Sequence, residues 1–120
     1  MKQVFVYGTL KRGGSNHHFL EGQRFVTEAQ TKPLFALYDL GGYPGLVRTL
    51  EAPESVMGEL WEVDELALSR LDVLEGLEAG EYRRVPIPLA PPHEDREVEG
   101  YEYLLDVAHA RRLCGVWTGA

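Results

Sequence analysis

Three sets of residues in this chain have types and spacing that could do chemistry. The first is the loop GTLKRGGS, Gly8 to Ser15, which follows the apolar run Val4 to Tyr7 and has the length of a phosphate cradle. A loop of the G-x-x-x-x-G-K-[ST] kind needs a lysine directly before its hydroxyl residue to reach the terminal phosphates. Gly14 stands in that place, and the charges of Lys11 and Arg12 fall inside the loop, so the nucleotide reading is a near miss. The second set holds the metal-ligating and nucleophilic types. His17 and His18 are adjacent and cannot share a helical face as ligands three or four apart would; His93 and His109 lie in unrelated segments, so no metal site is expected. Cys114 has no placeable base or orienting group and reads as a packed or idle thiol. The third set is acidic. Glu75 ends a helical segment close to Asp72, in a stretch that also carries Glu78 and Glu81. A carboxylate at a helix C-terminus opposes the helix dipole, a mild hint that it serves something other than stability.

These groups need a scaffold, and the sequence punctuates one. QVFVY, residues 3 to 7, mixes β-branched and aromatic side chains and stops at Gly8, a buried strand entering a turn. Ser15 or Asn16 is placed to cap a short helix through Leu20. Arg24 to Leu40 is strand-like, and Pro33, which lacks an amide donor, splits it into two strands or bends an edge strand. GGYPG, Gly41 to Gly45, must turn. LVRTL and SVMGELWEV supply two more strands, with Pro53 between them. Asp64 caps the helix ELALSRLDVLEG, whose Ala67, Leu71 and Leu74 mark the buried face and which Gly76 ends. EYRRVPIPL is a strand with prolines suited to an edge, PPHEDREVEG a surface loop, and YEYLL the last strand. Six or so strands and two short helices, mostly strand after strand, predict one α+β domain over residues 1–120 with a mixed, largely antiparallel sheet. The β-α-β-α alternation of a phosphate-loop fold is not there.

Composition narrows the partner. At 120 residues, 44% hydrophobic and 26% charged, the chain is sized for one core and therefore one site. A formal net charge of -7 argues against nucleic acid or an anionic membrane surface, both of which are bound through clustered Lys and Arg. A small molecule is the expected partner. One cysteine makes no internal disulfide, which suits a reducing compartment, and cytoplasm is the expectation. No stretch approaches the roughly 20 apolar residues of a membrane span or has the form of a cleavable leader, so the chain reads as mature as written. Nothing in the spacing addresses oligomeric state.

Taken in order, VFVYGTLKRG with Asn16 and His17, then LDVLEG, EYRRV and YEYLL resemble the gamma-glutamylcyclotransferase-like family, most closely its gamma-glutamylamine cyclotransferase branch. The similarity runs from Val4 to about Trp117. Y-G-[TS]-L after the first strand is specific when joined to a downstream L-D-x-x-E and Y-x-R. The resemblance implies a compact mixed β-barrel with a few short helices, no cofactor, and an activity that cyclises a gamma-glutamyl group to 5-oxoproline with release of an amine or amino acid. It places the essential glutamate on Glu75 and the substrate-binding loop on Tyr7, Gly8, Thr9 and Leu10, with Tyr103 of the late strand lining the pocket and Tyr101 two residues away on the same face. Members often end in S-G-D-W, whereas Cys114, Gly115, Val116 and Trp117 stand here without the acid. A change of packing or of the outer pocket is expected there.

The glycine loop then reads as an anion cradle for a carboxylate or a developing oxyanion, not for phosphate. Ring closure tethers nucleophile to electrophile, and good orientation of such a pair is worth roughly 7 to 11 kcal/mol. What remains is a proton problem: the amine arrives protonated, and Glu75 must take a proton and return one to the leaving nitrogen. A free glutamate near about 4.3 is a poor base toward an ammonium near about 8, a gap worth roughly 5 kcal/mol. Glu75 is therefore expected to be partly buried, with a raised pKa, facing Gly8 to Leu10. A non-catalytic module binding a small ligand on the same fold is the alternative.

Overall fold

The computed structural model describes residues 1–119 and contains eight strands, one α-helix and one 3-10 turn. In chain order these are β1 (Lys2–Val6), the 3-10 turn His17–Leu20, β2 (Arg24–Gln30), β3 (Phe35–Asp39), β4 (Pro44–Arg48), β5 (Met57–Val63), α1 (Glu65–Leu74), β6 (Tyr82–Pro86), β7 (Glu99–Tyr103) and β8 (Arg111–Leu113). The strands form one curled, half-barrel sheet in the order β2-β5-β1-β7-β4-β3-β8, with β6 paired to β7. Among the described residues only the β1–β7 and β4–β7 pairings are parallel.

Strand alternation decides which side chains go where. In β1, Val4 and Val6 point into a cluster with Trp61, Ala67, Leu71 and Tyr101, which the helix closes. Phe5 and Tyr7 point the other way, against Phe35, Leu37, Leu60 and Trp117. The helix begins as its sequence requires: the Asp64 carboxylate accepts from the Ala67 amide at 2.8 Å, while Gly76 after its end adopts φ 67°.

One irregularity shapes the site. β7 pairs along its whole length with β6, but the β1 pairing registers Val4 with Glu99 and the β4 pairing registers Leu46 with Glu102. β1 therefore leaves β7 where β4 joins it, and the ladder has a seam. The Tyr7 hydroxyl fills it, donating to the Tyr101 carbonyl at 2.6 Å and accepting from the Leu46 amide at 3.3 Å. Two main-chain groups that would otherwise be buried without partners are thereby satisfied.

Several expectations need correction. The described residues form eight strands where six or so were expected. The helix expected at Ser15 or Asn16 is a four-residue 3-10 turn without a side-chain cap, and the Asn16 side chain turns back to donate its Nδ2 to Thr9 Oγ1 at 3.0 Å. β4 starts at Pro44, inside the segment read as a turn. The last long strand runs Glu99–Tyr103 and not through YEYLL: Leu104 and Leu105 are exposed, and the Leu104 amide bonds to Glu81. β8 has only three residues, two of them arginines, too short and too polar to show a period.

Candidate active site

The chain leaves β1 at the seam and folds the glycine loop over it. Lys11 N bonds to Gly8 O at 3.1 Å, Gly14 N to Lys11 O at 2.8 Å and Asn16 N to Thr9 O at 2.9 Å, so the loop is knotted internally. Both of its cations point outward. Lys11 Nζ donates to the Trp117 carbonyl at 2.8 Å, and Arg12 grips the buried Glu59 through its backbone amide and Nε, both at 3.0 Å. The His17 ring is bonded to Leu10 O at 3.0 Å. The amides of Gly8, Thr9 and Leu10 bond to no main-chain acceptor among the described residues. Three donors thus stand free at the mouth of a strand, which is how a fold binds an anion without a cation. Gly8 has no room for a side chain: a Cβ there would sit 2.5 Å from Pro44 Cγ.

These residues line a cavity of about 360 Å³, bounded also by Phe5, Val6 and Tyr7, by the Gly42–Pro44 rim, and by Leu74, Glu75, Glu81, Tyr82 and Tyr101. No lysine, arginine or histidine lines it. Glu75 is the residue on which α1 ends, its amide bonded to Leu71 O at 2.9 Å. Burial, helped by the neighbouring Glu81 carboxylate, pushes its carboxyl up to about 7. Both causes disfavour the charged form. The result is a proton acceptor poised near neutrality, in the same cavity as the free amides.

Around Glu75 stand three tyrosines, each with its proton committed elsewhere. Tyr7 donates to the Tyr101 carbonyl, Tyr82 to the Pro44 carbonyl at 2.8 Å, and Tyr101 to Asp72 Oδ1 at 2.8 Å. Burial holds all three phenols well above the ordinary range, helped by the Asp72 carboxylate at Tyr101 and by Glu75 at Tyr7 and Tyr82, so they stay protonated. The cavity is therefore divided, with amide donors at the loop end and oxygen acceptors at the Glu75 end. A zwitterionic amino-acid head group has the complementary division.

Of the residues singled out from the sequence, Tyr7, Gly8, Thr9, Leu10 and Glu75 are brought together in this cavity. Tyr103 is not: Tyr101 takes the lining place, and Tyr103 packs edge-on against Tyr82 with ring centroids 5.0 Å apart. Alternation puts both on one strand face, and only the depth of the seam chooses between them. Tyr82 carries no mark in the sequence, because what brings it to the cavity is its place in the β6–β7 ladder and not motif spacing. Val116, where relatives often carry an acid, lies in a second cavity of about 450 Å³ on the outer side of the loop with Lys11, Glu59 and His93, away from Glu75. Cys114 is exposed and not packed. No helix among the described residues is long and apolar enough to cross a membrane.

Residues 4–118 match the family described as gamma-glutamyl cyclotransferase, AIG2-like. A Vibrio cholerae protein named "Putative gamma-glutamylcyclotransferase" is 53% identical over 81 residues, 68% of this chain and 67% of that one. A rat gamma-glutamylaminecyclotransferase is 39% identical over 83 residues, 63% of this chain and 56% of its own length, so likeness to the amine-specific branch is partial. Among solved structures, c4763 from uropathogenic E. coli superposes with a TM-score of 0.80 at 26% identity, covering 96% of this chain and 91% of that one.

Proposed function

The chain belongs to the gamma-glutamyl cyclotransferase, AIG2-like family, and from its site we propose that it is a cofactor-independent enzyme converting a small gamma-glutamyl-amine or gamma-glutamyl-amino acid into 5-oxoproline and the free amine. One observation carries the reading: a partly buried carboxyl poised at about 7 shares a cavity with free loop amides. The loop amides of Gly8, Thr9 and Leu10 hold the negative end of the ligand. Glu75, ionised, takes a proton from the α-ammonium. The freed nitrogen attacks the gamma-carbonyl carbon, forming the ring C–N bond and placing negative charge on the carbonyl oxygen. The tetrahedral species collapses by breaking the bond to the leaving nitrogen, which receives the proton from Glu75. A second proton leaves the ring nitrogen and ends on the departing amine, so the two products balance the substrate and nothing else is consumed.

The raised carboxyl narrows the mismatch with an ammonium near about 8 from roughly 3.5 pH units to about one, leaving about 1.4 kcal/mol of the original penalty. Orientation supplies the larger share. The lone exposed Cys114 suits a reducing, cytoplasmic setting.

The test is a panel of gamma-glutamyl amines and dipeptides incubated with the purified protein, with 5-oxoproline read by mass spectrometry. Turnover is expected for at least one member, with kcat/KM climbing as pH rises to about 7. Glu75→Gln should lower the rate by about 10²- to 10⁴-fold. Tight binding without product across the panel would make the protein a binding module instead.

A further inference from the structure

Asp72 is one helical turn before Glu75, so the two carboxylates share a face of α1. Asp72 does not line the cavity; it stands behind Tyr101, accepting the phenolic proton on Oδ1 and the Arg84 guanidinium on Oδ2. Arg84 and Tyr101 are directly opposite each other in the β6–β7 ladder, which is why both side chains reach the same carboxylate. Arg84 is itself held from the far side by Glu99 at 3.3 Å, and Glu99 by Lys2 at 3.1 Å. Helix and sheet are thus joined by a chain of charges that ends on one phenol.

The chemistry of that chain is directional. Arginine only donates, so the oxygen it faces must accept; an ionised carboxylate also only accepts, so the Tyr101 proton must point at Asp72. The Tyr101 oxygen can then offer the cavity nothing but lone pairs. Tyr82 is in the same condition through its bond to Pro44 O.

We propose that Asp72, clamped by Arg84, is a positioning residue that fixes Tyr101 as a hydrogen-bond acceptor, and that Tyr101 with Tyr82 holds the N–H bonds of the ligand's α-amine beside Glu75. The identity of that amine rests on the cyclotransferase reading. Two acceptors on its N–H bonds orient the nitrogen lone pair once Glu75 has removed the proton, and they reject a ligand that lacks the amine.

The polarity can be reversed by one atom. In Asp72→Asn, Arg84 still demands the side-chain oxygen, so the new NH₂ must face Tyr101; the phenol then accepts from it and turns its own proton into the cavity. Removing Arg84 as well frees the asparagine to rotate and give its oxygen back to Tyr101.

The test is ligand binding in a Glu75→Gln background, which prevents turnover, comparing L-glutamine with glutaramate, the same molecule without its α-amine, by calorimetry or NMR titration. The background protein should prefer L-glutamine by at least about tenfold. Adding D72N should reduce the preference to less than about threefold, Tyr101→Phe should do the same, and D72N with Y101F should be no worse than either. D72N with Arg84→Met should recover most of the preference, which damage to the fold alone would not allow. A preference that persists undiminished in D72N and in Y101F, or that Arg84→Met fails to rescue, overturns the proposal. Because binding is read and not turnover, that failure is distinct from an absence of 5-oxoproline with the parent enzyme. Should D72N not fold, Y101F decides alone.

Discussion

Replacing Glu75 by glutamine should stabilise the protein while disabling it, and the gain should depend on pH in a way fixed by the cavity. Burial and the Glu81 carboxylate move the Glu75 carboxyl from 4.5 to about 7. The folded state therefore keeps this proton to higher pH than the unfolded chain does. Its contribution to stability is fully present below 4.5, declines as pH rises from 4.5 to 7, and is constant above that. At about 1.4 kcal/mol per pH unit the ionised group costs roughly 3 kcal/mol, or about 2 to 3 with allowance for its remaining exposure. Glutamine keeps the shape and never ionises, so the variant's advantage should open across the same interval. Urea unfolding of both proteins at pH 4, 6 and 8 measures it: curves close together at pH 4 should separate by about 2 to 3 kcal/mol at pH 8, equivalent to roughly 10 °C in Tm. An offset that is equal at all three values would refute the reasoning, because it would show that the fold does not resist the charge on Glu75.

Three further substitutions probe the frame around it. Gly8→Ala puts a Cβ 2.5 Å from Pro44 Cγ; a loss of about 1 to 3 kcal/mol in denaturant and collapse of 5-oxoproline formation are expected. Asp64→Ala removes the carboxylate that caps α1 and should cost about 1 kcal/mol by the same assay, with most of it restored by Asp64→Asn. Arg12→Ala leaves Glu59, 7% exposed, with the residue-12 backbone amide and the Trp61 indole as donors but without its cation. Because Arg12 is itself about half exposed, the expected cost is about 2 kcal/mol at neutral pH. It should shrink in acid, where the depressed Glu59 carboxyl finally protonates.

The sequence spoke clearly where a local rule governs. Asp64 before an apolar-periodic run and Gly76 after it delimit α1, and Pro33 divides β2 from β3. Both follow from backbone chemistry that no distant contact can alter. Glu75 and the YGTL loop, singled out by the family resemblance as short contiguous motifs, meet in one cavity because the fold needs only to bring two such motifs together. What stayed hidden depends on registry. Whether Tyr101 or Tyr103 reaches the cavity is set by where β1 leaves β7, a long-range event with no local mark. Asp72 was visible only as part of an acid-rich stretch, since its partners Arg84 and Tyr101 are 12 and 29 residues away. The three-residue β8 and the 3-10 turn at His17 carry too few residues for any period to show.

β1 lies inside the sheet, between β5 and β7, and its last residues run straight into the glycine loop. Opening that loop would mean prising apart the middle of the fold, so its bonded amides, those of Lys11, Gly14 and Asn16, should exchange with deuterium among the slowest of any turn in the molecule. The opposite rim, Gly41 and Gly42 with φ of 97° and 101° followed by the exposed Tyr43, has no such anchorage on its outer side. Hydrogen exchange at that hairpin tip, and not in the glycine loop, is where motion at the mouth of the cavity should be read.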